Sequence, residues 1–307
     1  MALTKKEQDA IIKNKMIKAA SKTRTATKVI IVVLLVTLLL TGGTYGVLTF
    51  INANSMQISI KESNINEGLS LSKFKDSKPE DRTTNINMEG PEDLGAYTYT
   101  WLNLEADIFG YEGGHHGASY IAYSFYLVNN SPTRKCTYTM GVEIVKNTLN
   151  TASAIRVMII EDEDDVENRP SNTKVYAQAK ADGTAEYVAY DDCKESQVGL
   201  TLSELNVSYP LLQVPTTTPF LGEVYTEDDE YDGFYVMKET GRELSHAQQK
   251  KFTVVIWFEG TDQQCVNDIL GGKCTINFWF DVEAFNDDVE YYGSREVKNG
   301  KESSAGK

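Results

Sequence analysis

FTVVIWF at residues 252–258 and CTINFWFDV at residues 274–282 are the two stretches that set the fold class. Each is a short apolar run rich in β-branched and aromatic residues, the composition of a well-buried strand, and too short for a core helix. The connector between them, EGTDQQCVNDILGGK, holds Asp262, placed to cap a short helical turn that Gly271-Gly272 would end. Strand, short turn and strand is therefore the predicted unit.

Working outward, alternation with period two recurs. Tyr97, Tyr99 and Trp101 alternate with threonines, Ile121, Tyr123, Phe125 and Leu127 follow, and then Tyr138, Met140, Val142 and Ile144. AIRVMII at 154–160 is a denser apolar strand. Residues 174–177 and 186–190 read as a hairpin around Ala181-Asp182-Gly183, while 220–225 and 234–237 are further strands. Residues 244–251 read as one short polar helix, and 56–61 as a strand inside an otherwise polar segment. About ten strands with few helices and no βαβ alternation predict a mainly β fold. The expected form is an antiparallel sandwich, jelly-roll-like or immunoglobulin-like.

Ahead of this domain lies the run VIIVVLLVTLLLTGGTYGVLTFI, Val29–Ile51, which contains no Asp, Glu, Lys or Arg. At about 1.5 Å per residue it is long enough to cross about 30 Å of hydrocarbon once as a helix. Residues 1–28 hold eight bases against two acids, net +6, and the rest holds 22 bases against 42 acids, net −20. Basic residues stay on the cytoplasmic side, so the expectation is a signal-anchor in the plasma membrane with the C-terminal domain extracellular. Processing near Thr41-Gly42-Gly43-Thr44 would instead release the same domain as a secreted protein. The expected layout is a basic cytoplasmic leader (1–28), a transmembrane helix (29–51), a polar juxtamembrane segment with one strand (52–94), the β-sandwich (95–287) and a disordered tail (288–307).

A strongly acidic exterior excludes nucleic acid as a partner, because phosphate binding needs clustered Lys and Arg. Cys136, Cys193, Cys265 and Cys274 all follow the apolar run, and four cysteines in an oxidising compartment suggest disulfides. The favoured pairing is Cys265–Cys274, which leaves Cys136 with Cys193. Zinc is disfavoured because no C-x-x-C spacing is present.

Three motifs are candidate sites. In DDEYDGFYVMKE, counted from Asp228, Asp228, Glu230 and Asp232 fall at positions one, three and five, Gly233 at six and Glu239 at twelve, the spacing of a looped calcium site. Glu230 departs from the usual Asp/Asn, and the helical flanks of such a site are missing. His115 and His116 in GYEGGHHGAS read as a glycine-rich surface loop, since neighbours on an extended chain face opposite ways. The acidic run 161–165 reads as a solvated loop, and nothing fixes a carboxylate pair for glycoside hydrolysis. No nucleophile elbow, phosphate loop or catalytic Cys/His signature is present.

The apolar segment ending in TGGTYGVLTF, followed by a β-rich exported domain, resembles the TasA/camelysin group of Gram-positive surface and biofilm-matrix proteins. FTVVIWFEGTDQQC also looks like stretches of anchored proteins from such bacteria. This resemblance implies a jelly-roll domain with a matrix or envelope role. The metallopeptidase activity described for camelysins finds no matching motif. A non-catalytic cell-surface protein of structural, matrix or adhesion function is the leading expectation, with a surface protein or polysaccharide as partner and no cofactor. A carbohydrate- or peptide-binding module steadied by calcium is the alternative, and a surface hydrolase the third.

Overall fold

A computed structural model describes residues 55–61, 68–91, 94–190 and 215–287. All belong to one compact unit, Ala53–Lys307. The basic leader, the run Val29–Ile51, Cys193 and the tail 288–307 lie outside the described residues. Among the described residues, no helix is long and apolar enough to cross a membrane.

The described residues form fourteen strands: β1 (Ser55–Ile60), β2 (Leu69–Ser72), β3 (Asn85–Glu89), β4 (Ala96–Tyr97), β5 (Gly113–Gly114), β6 (Tyr120–Asn129), β7 (Arg134–Asn147), β8 (Ile155–Glu161), β9 (Thr173–Ala177), β10 (Thr217–Pro219), β11 (Gly222–Tyr225), β12 (Tyr231–Leu244), β13 (Gln249–Glu259) and β14 (Cys274–Asp287). One turn of helix, α1 (Arg169–Asn172), precedes β9. The first sheet runs β11-β12-β7-β14-β1-β3 and the second β10-β9-β8-β13-β6-β2, with β4 added beside β13 and β5 beside β6. The fold is mainly β, as the alternation predicts.

Both sheets are mixed rather than purely antiparallel. β1 runs parallel to β14, β10 to β9 and β4 to β13. A parallel neighbour cannot be reached by a tight hairpin, and β1 meets β14 only after most of the chain has intervened. The segment 52–94 thus supplies β1, β2 and β3, where its sequence suggests one strand, and β1 lies within the first sheet.

One face of each sheet meets a shared core. Ile276, Phe278 and Phe280 of β14 join Ile121, Phe125 and Leu127 of β6 and Phe252, Val254 and Ile256 of β13. Rings interlock across the sheets, with Phe278 edge-on to Phe125 at 5.5 Å and to Phe252 at 5.8 Å between centroids. On the outward face of the first sheet, Trp279 lies directly opposite Gly141, where any Cβ would come within 2.4 Å of the indole. The missing side chain lets the indole lie flat on β7, capped by the Lys61 ammonium 3.7 Å above the ring.

The outward face of the second sheet is covered too. Tyr99–Trp101 form a short 3-10 turn and Leu104–Ile108 one π-helical turn. Tyr97, Tyr99, Leu102, Leu104, Ile108 and Phe109 pack with Tyr120, Met158, Val255 and Trp257 as a second apolar cluster. The strand expected at Tyr97–Trp101 is therefore corrected: only Ala96 and Tyr97 pair, and the aromatics fold over the sheet as a lid of side chains. The polar helix expected at 244–251 is also corrected. Leu244 ends β12, Gln249 begins β13, and a turn joins them with Gln248 N donating to Ser245 O.

Candidate functional site beneath the histidine loop

The covering segment returns to the sheet edge through β5, where Gly113 and Gly114 pair with Ser124 and Tyr123 of β6. Gly110 and Gly113 take φ values of +82° and +68°, which side chains disfavour, and these two residues set the turn. At that place the structure assembles a buried polar chain from four separate elements. Glu163, just beyond β8 and 1% exposed, accepts from Lys251 Nζ at 2.6 Å and from Gly110 N at 2.9 Å on Oε1. Thr253 Oγ1 donates to its Oε2 at 2.6 Å. Because the Thr253 proton is thereby engaged, the 2.7 Å contact with Ser124 must run from Ser124 Oγ–H to Thr253 Oγ1.

His115 sits over this chain. Its Nδ1 lies 2.9 Å from Gly113 O, so Nδ1 carries the proton and donates. Nε2 is then a bare lone pair, buried and without a partner among the described residues. The Tyr111 ring stacks on the imidazole at 5.3 Å and 14°. Burial lowers the His115 pKa below its ordinary 6.5, outweighing the Gly113 carbonyl and the attraction of Glu163, and burial lowers His116 as well. On the neighbouring side Tyr126 donates to Glu112 Oε1 at 2.8 Å, and burial together with that carboxylate pushes the phenol up.

The acidic run is thus not uniformly solvated. Glu161 pairs with Arg242 and with Lys250 at 2.9 Å, Glu163 is buried against Lys251, Asp162 is half-exposed, and Asp164 and Asp165 face water. The sign available in the sequence is the pair Lys250-Lys251 opening an apolar strand, which needs counter-charges on the strand alongside.

No family model matches the chain, and no characterised protein is significantly similar to it. Neither finding bears on the likeness to TasA and camelysin.

The four calcium candidates are not gathered around one point. Asp228 and Glu230 lie in the turn between β11 and β12, closed by Thr226 N donating to Glu230 O at 2.8 Å. Asp232 and Glu239 lie along β12, and seven residues of extended chain separate them by roughly 20 Å at about 3.3 Å per residue. Asp232 holds Lys238 at 3.0 Å, while Glu239 holds Lys174 at 2.9 Å and Arg242. Among the described residues no group of three or more His, Cys, Asp or Glu is placed to hold a metal. Position twelve serves a different purpose: Glu239 of the first sheet reaches Lys174 of the second. Glu239→Gln is expected to cost about 0.5–1 kcal/mol in urea unfolding, equally with calcium or chelator present.

The cysteines also differ from expectation. Cys265 is a free thiol, so the Cys265–Cys274 bridge is not made, and Cys136 is free and buried while Cys193 lies outside the described residues. Burial pushes the Cys136 and Cys274 thiols up to about 12. Asp262, expected as a helix cap, instead accepts from Gln264 N at 2.9 Å and, at 2.6 Å, from Arg156. The short 3-10 turn starts later, at Asn267–Ile269, and Gly271 with φ +75° follows it. Glu259 accepts from Tyr99 N, Trp257 Nε1 and Thr261 Oγ1. Among the aromatics, Tyr97, Tyr99 and Tyr235 are buried, whereas Trp101 and Tyr231 are exposed.

Glu161, Glu163, Glu239, Glu259 and Asp262 are each engaged by donors from neighbouring strands or loops. What the arrangement can do chemically is fasten: Glu163 ties the covering segment to β13, and Glu259 ties Tyr99 to the same strand.

Proposed function

We propose that the chain is a membrane-anchored cell-surface protein whose two-sheet domain is a sandwich, jelly-roll-like or immunoglobulin-like, with a structural, matrix or adhesion role. The carrying observation is the separation of charge about Val29–Ile51, +6 before it and −20 in the remainder of the chain, immediately ahead of a β-built unit. Interlocked Phe rings between the sheets support the sandwich, and buried carboxylates engaged in internal ties support a load-bearing role over a catalytic one. In intact cells producing the full chain, the protein is expected in the plasma-membrane fraction. External protease should degrade the residues after 52 and spare the leader. Full protection of the β domain would refute the orientation.

A second reading, a carbohydrate- or peptide-binding module, rests on Tyr225 and Tyr231. Both rings are more than half exposed, 5.8 Å apart, with Glu223 held by the Tyr225 hydroxyl. Paired exposed rings beside acids suit stacking on a sugar. Isothermal titration of a polysaccharide hydrolysate against the parent and Tyr231→Ala decides it, since equal heats in both would remove the pair.

A further inference from the structure

We propose that residues 109–117 are an acid-released strap, opened from the outer face of the second sheet when His115 Nε2 takes a proton. The inference is independent of the cellular role proposed above.

The strap is held at a few points. Gly110 N is fixed by Glu163, His115 N donates to Ala122 O at 3.0 Å, Gly113 and Gly114 pair with β6, and Arg169 stacks its guanidinium 3.9 Å from the Phe109 ring. His115 is the hinge pin, with Tyr111 stacked on one face and its Nδ1–H turned inward to Gly113 O. The ionisable groups around it are Tyr111 and His116 of the strap, Glu163 beyond β8 and Lys251 of β13, with Tyr126 of β6 holding Glu112 alongside. Glu163 and Lys251 neutralise each other at 2.6 Å, so the site offers a new cation little net attraction. Neutral imidazole fits as it stands. Imidazolium brings a buried N–H with no acceptor in place among the described residues, and a positive charge near Lys251.

The direction of the pH effect follows. In the open strap His115 is solvated and titrates near 6.5, whereas in the closed strap burial holds it lower. The open state binds the proton more readily, so closure is fully favoured above about pH 6.5 and weakens as the pH falls from there through the closed-state pKa.

Hydrogen exchange on the full chain in detergent tests this, with protection factors corrected for intrinsic exchange from pH 7.5 to 5.0. Protection at Gly110 and His115 is expected to fall several-fold across that range while β13 amides stay protected. In His115→Gln, which cannot titrate, the strap amides should hold a constant protection, while His116→Gln should keep the drop. Should His115→Gln open the strap at every pH, the parent still decides through its His115 Cε1–H resonance. Its titration midpoint must fall below 6.5 and coincide with the loss of protection. A midpoint at or above 6.5, or strap protection that ignores the His115 titration, would overturn the proposal.

Discussion

Asp262→Ala is expected to lower the unfolding free energy by about 3–5 kcal/mol in urea denaturation. Arg156 lies in the apolar strand β8 with no exposure, and its guanidinium donates to Asp262 at 2.6 Å, to Tyr187 O at 2.7 Å and to Ile155 O at 3.2 Å. Arginine does not shed its proton, so removing Asp262 leaves a full charge in the interior with carbonyls alone around it. Replacing both partners, Arg156→Met with Asp262→Leu, should cost much less, because the desolvated charge disappears along with its counter-ion. The loop Glu259–Cys265 gives a second readout. Cys265 N donates to Asp262 O, and burial raises the Cys265 thiol, so faster reaction with a disulfide reagent is expected in Asp262→Ala. A loss below about 1 kcal/mol would mean that water already reaches Arg156.

Phe278→Ala is the second large effect, about 3–5 kcal/mol, arising from packing rather than charge. Its ring meets Phe280 at 5.0 Å on its own strand and Phe125 and Phe252 across the core, so truncation opens a void between the two sheets at their centre. Phe278→Leu should cost about 1 kcal/mol, since most of the volume is kept. The comparison separates a close-packed interface from a loose one: similar losses for Ala and Leu would mean that ring stacking, not volume, holds the sheets together.

Strands built on dense or alternating apolar residues were legible one by one. β6, β7, β8, β13 and β14 all fall where FTVVIWF, CTINFWFDV and their counterparts put them. β2 and β3 were hidden because LSLS and NINME show only two apolar side chains each, and burial of Leu69, Leu71, Ile86 and Met88 comes from partners remote in the chain. Tyr97–Trp101 misled for a related reason, since alternating aromatics carry the same pattern whether they line a strand or fold over one. Arg156 inside AIRVMII signalled that a counter-charge must exist, yet Asp262 stands 106 residues away and only the fold brings it there. Likewise the bearing of Glu163 on the histidine loop depends on β8 ending beside β13, a pairing that spacing does not encode. The calcium spacing presumes a closed loop, whereas the residues after Gly233 continue in extended form as β12.

The position of β1 has a mechanical consequence. Six register pairs, Ser55 with Thr275 through Ile60 with Phe280, join the earliest and the last of the described strands in parallel. Tension drawn between the start of β1 and the end of β14 therefore slides the two along each other and strains all six pairs together. An antiparallel hairpin pulled from its open end would peel one rung at a time. A tether at one end and a pull at the other meet this domain in its most rupture-resistant direction.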